Sequence, residues 1–268
     1  MKHNKRPVRH TGQHFTIDTQ LINHSIHLAD LQKEDIVLDI GAGRGFLTVH
    51  LVKYSDNVIA IENDPRLILK LKSHFRRNKS VSIVNIDFRK FSCPAKLFKV
   101  VSNIPYRITS EILKSLMFTH CEYFIQGCLV MQLEPAQKLI QQTFFNPYKV
   151  FYHTFYEIEL IYEIDPASFI PPPKVRSALI KINKKHSMNL DSEMKKKYLD
   201  FLYFMLKYPD LQLRTTLKKL FHKRQMREIA KKYNLKLEDP VTKMSARQFS
   251  ECFAEMRKIV PEKFHPKQ

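Results

Sequence analysis

At 268 residues, 44% hydrophobic and 11% aromatic, the chain is long enough to bury a substantial core and too apolar for a disordered segment. Its net charge of +19 and pI near 9.7 point to a polyanionic partner, nucleic acid ahead of any other. No stretch has the apolar length of a membrane span or a secretory signal, and neither the four cysteines (no CxxC) nor the twelve histidines, scattered along the chain, suggest a metal, so a cytoplasmic protein with reduced thiols is expected.

The first 17 residues carry Lys2, Lys5, Arg6 and Arg9 with no acid before Asp18, which reads as a basic arm. Within it, Thr11-Gly12-Gln13-His14-Phe15 leads into a helix that Asp18 can cap, with Leu21, Ile22, Ile26 and Leu28 as its apolar stripe. Ile36 to Ile40 then reads as a strand running into Gly41-Ala42-Gly43-Arg44-Gly45. A helix and a second strand, Val58 to Ile61, follow, and that strand ends on Glu62. Such a βαβ unit, with a glycine-rich first turn and an acid 21 residues beyond Gly41, suits a ligand bearing a ribose: the glycines let backbone approach it and the acid takes both hydroxyls. The glycines follow GxGxG rather than GxGxxG, and no GK[ST] is present. S-adenosylmethionine is therefore favoured over a dinucleotide or a nucleoside triphosphate.

The alternation continues. Asp64 and Pro65 start a helix through Phe75, and a third strand from Val81 to Ile86 ends on Asp87. Asp87 is placed either to accept a bond from an adenine amine or simply to cap a turn. A fourth strand, Phe98 to Ser102, delivers Asn103-Ile104-Pro105-Tyr106 to the same sheet edge, where open α/β sheets bind ligands. Pro105 ends the strand and biases Ile104 toward extended backbone. The Asn103 amide and a backbone carbonyl can then accept both N–H bonds of an aromatic amine, and Tyr106 offers a face for stacking. The alternative is an ordinary turn beside a core tyrosine.

Beyond this point the pattern predicts a helix from Thr109 to Phe118, a strand from Cys128 to Gln132, a helix starting at Pro135 and a strand from His153 to Ile164. A Pro171-Pro172-Pro173 loop leads to a last strand, Val175 to Ile182, and the two late strands suggest an antiparallel hairpin at a sheet edge. From Lys184 on only helical stripes remain. That segment holds 21 Lys and Arg against 10 Asp and Glu, which is +11 of the +19. Lys218, Lys219, Lys223, Arg224, Arg227, Lys231 and Lys232 read as a phosphate-contacting face, or as a solvated one. The expected domains are 1–183, catalytic and including the arm 1–17, and a helical 184–268 that binds RNA.

Taken together, Gln13-His14-Phe15, Asp39-Ile40-Gly41-Ala42-Gly43-Arg44-Gly45, Glu62, Asp87, Asn103-Ile104-Pro105-Tyr106 and Phe169-Ile170-Pro171-Pro172-Pro173-Lys174-Val175 with Ser177 resemble the ribosomal RNA adenine dimethyltransferases. Glu134 to Leu139 and the tail Val260 to Pro266 are similar to one part of the erythromycin-resistance (Erm) branch, which acts on 23S rRNA. The resemblance implies an α/β fold: a Rossmann-like class I methyltransferase sheet with a reversed last strand, plus a small all-helical C-terminal domain. It implies an enzyme that dimethylates the 6-amino group of an adenine with S-adenosylmethionine, giving macrolide–lincosamide–streptogramin B resistance. The cofactor positions it implies are His14, Thr16, Gly41, Glu62, Asp87 and Asn103; the catalytic ones are Asn103, Ile104, Pro105 and Tyr106, with Phe169 against the other face of the base. Family members commonly have asparagine where His14 stands, and histidine can still hydrogen-bond. A monomer acting on protein-free or precursor 23S rRNA is expected. The competing readings are a housekeeping small-subunit dimethylase, a DNA adenine methyltransferase, and a non-enzymatic nucleic-acid-binding relative.

Overall fold

The computed structural model describes residues 15–16, 18–185 and 192–267. Its strands are β1 (Phe15–Thr16), β2 (Ile36–Ile40), β3 (Asn57–Glu62), β4 (Val81–Asn85), β5 (Phe98–Asn103), β6 (Phe124–Gln132), β7 (Tyr156–Ile164), β8 (Phe169–Ile170) and β9 (Ser177–Lys184). The α-helices are α1 (Thr19–Leu28), α2 (Thr48–Leu51), α3 (Pro65–His74), α4 (Thr109–Lys114), α5 (Leu133–Ile140), α6 (Pro147–Phe155), α7 (Ser192–Met205), α8 (Leu213–Leu217), α9 (Lys223–Lys232) and α10 (Ala246–Ile259).

Seven strands form one sheet in the order β4-β3-β2-β5-β6-β9-β7, with one strand antiparallel, and β1 pairs with β8 in a separate two-stranded piece. β2 runs parallel to both β3 and β5, and β3 runs parallel to β4. Strand order thus reverses across β2 and β5: β3 lies on one side of β2 and β5 on the other. Such a switch point opens a crevice at the carboxyl ends of the strands. β2 is buried along almost its whole length, so it reads as an apolar run broken only by Asp39 rather than as an alternating one.

The chain divides into two compact units. One comprises residues 1–112, 126–136 and 160–181; the other comprises 113–125, 137–159 and 182–268. In the first, Val37 and Val58 from adjacent strands pack with Ile22, Ile26 and Leu51 from the helices, while Ala60 packs with Ile68, Leu71 and Phe75. Asp18 caps α1, its Oδ1 accepting from the backbone N–H groups of Gln20 and Leu21. Asp64 caps α3 just ahead of Pro65.

The second unit is held by aromatic rings. Tyr198 of α7 lies with its ring centroid 6.0 Å from Phe151, 5.8 Å from Phe155 and 4.9 Å from Phe253, and its hydroxyl meets Thr154 Oγ1 at 2.9 Å. These spacings are those of offset and edge-on aromatic pairs, and the buried phenol has a polar partner.

Several expected boundaries move, the last strand among them, since β9 begins at Ser177 rather than Val175. The strand expected from His153 begins at Tyr156, because α6 occupies 147–155. Pro147 stands in its first turn, and Asn146 caps it with Oδ1 accepting from Tyr148 N–H at 2.8 Å. β6 begins at Phe124 rather than Cys128, and α5 at Leu133 rather than Pro135. The helix expected from Thr109 to Phe118 does start there, as α4, directly after a 3-10 turn at Tyr106–Ile108, and gives way to a π-turn at Ser115–Thr119.

Candidate active site

Four chain segments meet at the carboxyl ends of β2 to β5, around a cavity of about 420 Å³, within the usual range for small-ligand sites. The first is the glycine turn after β2. Gly41 adopts φ +78°, and the N–H groups of Gly41 and Ala42 both donate to the Ile61 carbonyl, at 2.8 and 3.0 Å. A Cβ on Gly41 would lie 2.7 Å from Pro105 Cγ, so the turn and the Asn103–Tyr106 segment touch with no room for a side chain. Glycine is needed here for both conformation and space.

The second segment is the tip of β3. Glu62 is buried, and its carboxylate ties the turn to its own strand: Oε2 accepts from Gly43 N–H at 2.9 Å, Oε1 from Asn63 and Asp64 N–H at 2.8 Å each. Three backbone donors fix the carboxylate's orientation and leave one lone-pair direction, on Oε2, open to a ribose hydroxyl. Beneath the turn, Asp39 is 2% exposed and its Oδ2 accepts from the Thr48 hydroxyl at 2.6 Å. Burial pushes its carboxyl up to about 7, the Thr48 bond opposes the shift, and the Glu62 charge adds to it. Asp39 thereby links the end of β2 to the first residue of α2.

The third segment follows β4. Asp87 caps the 3-10 turn Phe88–Lys90 through Arg89 N–H at 2.9 Å, and the Arg89 guanidinium grips its carboxylate at 3.0 Å (Nε–Oδ1) and 2.5 Å (Nη2–Oδ2). The Arg89 bonds hold the Asp87 carboxyl down to about 2, leaving an ionised acceptor on a wall that also includes Ile61, Ile86 and Phe88. Asp87 is therefore a turn cap and a cavity-lining carboxylate at once.

The fourth is the β5 tip. Asn103 ends the strand with Oδ1 buried, and Ile104 N–H donates to Val130 O at 3.0 Å, extending the pairing with β6 one residue further. Pro105 turns the chain into the 3-10 turn. The Tyr106 hydroxyl meets the wholly buried Ser177 Oγ at 2.6 Å, which fixes the ring, and burial pushes its phenol up.

Gly41, Glu62, Asp87, Asn103, Ile104, Pro105 and Tyr106 thus line one cavity. His14 lies outside the described residues. Thr16 is described only as a backbone partner of Phe169. Phe169 is a correction. Its ring is wholly buried among Leu21, Val130, Ile164 and Leu179 and does not line the cavity. Alternation in the two-residue β8 turns Phe169 inward and leaves Ile170 exposed, so Phe169 presents no face to a base.

Sequence reasoning missed Asp39 as a buried acid, Arg89 as the Asp87 partner and Ser177 as the anchor of Tyr106. Only Asp39 carried a signal, since a carboxylate just before the glycine turn interrupts an apolar strand. The arrangement combines an oriented acid for a ribose, a second acid for an amine, and an amide beside a fixed aromatic ring. That set suits a nucleoside cofactor next to a planar base.

Comparison with known proteins agrees with the geometry. The family model described as "Ribosomal RNA adenine dimethylase" matches residues 3–258. A protein from Bacteroides fragilis named rRNA adenine N-6-methyltransferase is 51% identical over 99% of this chain and 100% of its own length. A ribosomal RNA small subunit methyltransferase A from Mycoplasmopsis pulmonis (strain UAB CTIP) is 31% identical over 94% of this chain and 100% of its own. Among solved structures, that of the 23S rRNA methyltransferase ErmE superposes with a TM-score of 0.77 at 24% identity, covering 91% of this chain and 99% of that one, a likeness of fold.

Proposed function

The chain belongs to the ribosomal RNA adenine dimethylase family, and from that premise we propose that it methylates the 6-amino group of one adenine in 23S rRNA twice in succession, blocking macrolide–lincosamide–streptogramin B binding. It is an S-adenosylmethionine-dependent rRNA adenine N6-methyltransferase. The 51% identity, over nearly the whole of both chains, to a relative named rRNA adenine N-6-methyltransferase supports the chemistry, and what carries the choice of 23S rRNA is the Erm-like character of Glu134 to Leu139 and of the tail Val260 to Pro266. The second reading, a housekeeping small-subunit dimethylase, draws on the 31% identity to the Mycoplasmopsis protein. We assign catalysis to 1–183 and RNA binding to the helical 184–268, in a monomer acting in the cytoplasm on protein-free or precursor RNA.

When bound, S-adenosylmethionine supplies an electrophilic methyl on a sulfonium. We assign a ribose hydroxyl to Glu62, its adenine amine to Asp87, its backbone approach to Gly41, and its remaining contacts to His14, Thr16 and Asn103. The target adenine has to leave its helix to reach the cavity. Its amine is a poor nucleophile because the lone pair is delocalised into the ring. Accepting its two N–H bonds at the Asn103 side chain and the Ile104 carbonyl favours a tetrahedral nitrogen and localises that pair. Pro105 shapes this turn, and Tyr106, anchored by Ser177, stacks on the base. The amine loses its proton to water after transfer, so no strong base is needed. Positioning of this kind can supply about 7–11 kcal/mol of a barrier.

The test is methylation with labelled S-adenosylmethionine of protein-free 23S fragments against small-subunit particles. Label in the 23S fragment as dimethyladenosine is expected, and label confined to the small-subunit particle would favour the second reading. Asn103→Ala is expected to lower transfer by about 10²–10³-fold, the loss typical of one preorganised hydrogen-bonding group, a larger fall than in cofactor affinity, where Asn103 is one contact of several. An active variant would remove the amide from the mechanism.

A further inference from the structure

Among the described residues, two guanidiniums line the cavity, Arg89 and Arg107. Arg89 is committed to Asp87 and also feels the charge of Glu111. Arg107 is exposed, follows Tyr106 directly, and sits in the 3-10 turn that opens α4. Among the described residues it makes no hydrogen bond and no ion pair; Glu111, one turn further on, acts on Arg89 instead. The carboxylates around the cavity, Glu62 and Asp87, repel an approaching polyanion. A base lowered beside Tyr106 nevertheless drags its own phosphodiesters to the rim. An uncommitted guanidinium at that rim offers a planar, bidentate partner for such a group.

We propose that Arg107 is the phosphate clamp of the target nucleotide: its guanidinium takes a phosphodiester of the extruded adenosine and so positions the base between Asn103 and Tyr106. This rests on the reading of Asn103 to Tyr106 as the base pocket. Arg107 is a positioning residue: it holds the RNA backbone while Asn103 and Tyr106 hold the reacting base. The same fork also suits the carboxylate of the cofactor. Its exposure at the rim, on the Tyr106 side of Asn103, favours the RNA.

The test uses the full chain with Arg107→Ala and Arg107→Lys, both at an exposed position and checked for an unchanged Tm. Affinity for a 23S fragment is titrated across salt concentrations, and cofactor affinity is measured by calorimetry. Each phosphate contact contributes about 0.7–0.9 to the slope of log affinity against log salt. Arg107→Ala is expected to weaken RNA binding about tenfold, lower that slope by about one contact, and leave cofactor affinity within twofold. Arg107→Lys is expected to keep the slope while losing severalfold in affinity, since an ammonium keeps the charge and loses the fork. An unchanged slope in Arg107→Ala, or a fall in cofactor affinity instead of RNA affinity, overturns the clamp. Failure of the base-pocket reading has a different signature: Asn103→Ala would retain full transfer whatever Arg107→Ala does.

Discussion

At the scale of single residues, the site is organised by carboxylates in unlike surroundings. Asp87 is ionised and gripped by Arg89, Glu62 is spread over three backbone donors, and Asp39 is buried with one hydroxyl donor. Burial raises Asp39 from 3.8 in the unfolded chain to about 7 in the folded one, so between those values the folded state holds the extra proton. Its contribution to stability is therefore intact below the unfolded value, declines as pH climbs toward about 7, and is constant beyond it. The decline is at most on the order of 4 kcal/mol. Asp39→Asn keeps the shape and cannot ionise, so its Tm relative to the parent should rise from pH 4 to pH 8 and then level off. A Tm difference independent of pH would mean that Asp39 stays ionised throughout.

At the scale of elements, the glycine turn and the Asn103–Tyr106 segment form a single unit, because Gly41 touches Pro105 with no space between. Gly41→Ala combines a left-handed φ with a contact of 2.7 Å to a proline ring that has little freedom to move aside. Strain of this kind costs about 1–3 kcal/mol, and relief requires Pro105 to shift. The expected outcome is a lower Tm together with losses in both cofactor affinity and turnover. A variant impaired only in cofactor affinity would show that the two segments are independent.

This element scale was also where the sequence was most and least readable. The strand tips bearing Gly41, Glu62, Asp87 and Asn103 were legible because parallel strands separated by helices all expose their carboxyl ends on one edge. The start of β7 was not. Phe155 ends a helix and Tyr156 is already extended at φ −129° and ψ 147°, with no glycine or proline between them to mark the change. The capping Asn146 and the i, i+4 pair Phe151 and Phe155 were the missed signals of α6. The inward turn of Phe169 was illegible for another reason: a two-residue strand has too few positions to reveal which face is buried.

At the scale of the whole molecule, the charge excess of the C-terminal segment is partly neutralised in place. Arg224 pairs with Glu228, Lys232 with Glu255, and Arg214 with Glu238. Lys218, Lys223 and Arg227 stay exposed without an ion pair among the described residues, and Lys219 lies over the Tyr208 ring at 5.7 Å. Exposed pairs contribute little to stability, so reversing Lys218, Lys219 and Lys223 to Glu should leave Tm nearly unchanged. RNA affinity should fall at least tenfold and its salt dependence flatten by two to three phosphate contacts, roughly 0.7–0.9 each. Unchanged binding would return these lysines to a solvated surface.

The target RNA is read most directly by primer extension on ribosomal RNA from cells expressing the chain, with Asn103→Ala as the blank. Two methyl groups on N6 block the pairing edge of adenine and halt reverse transcription. A single new stop within 23S rRNA, absent from the blank, is the predicted result; a new stop only in the small-subunit RNA, or none in either, would contradict it.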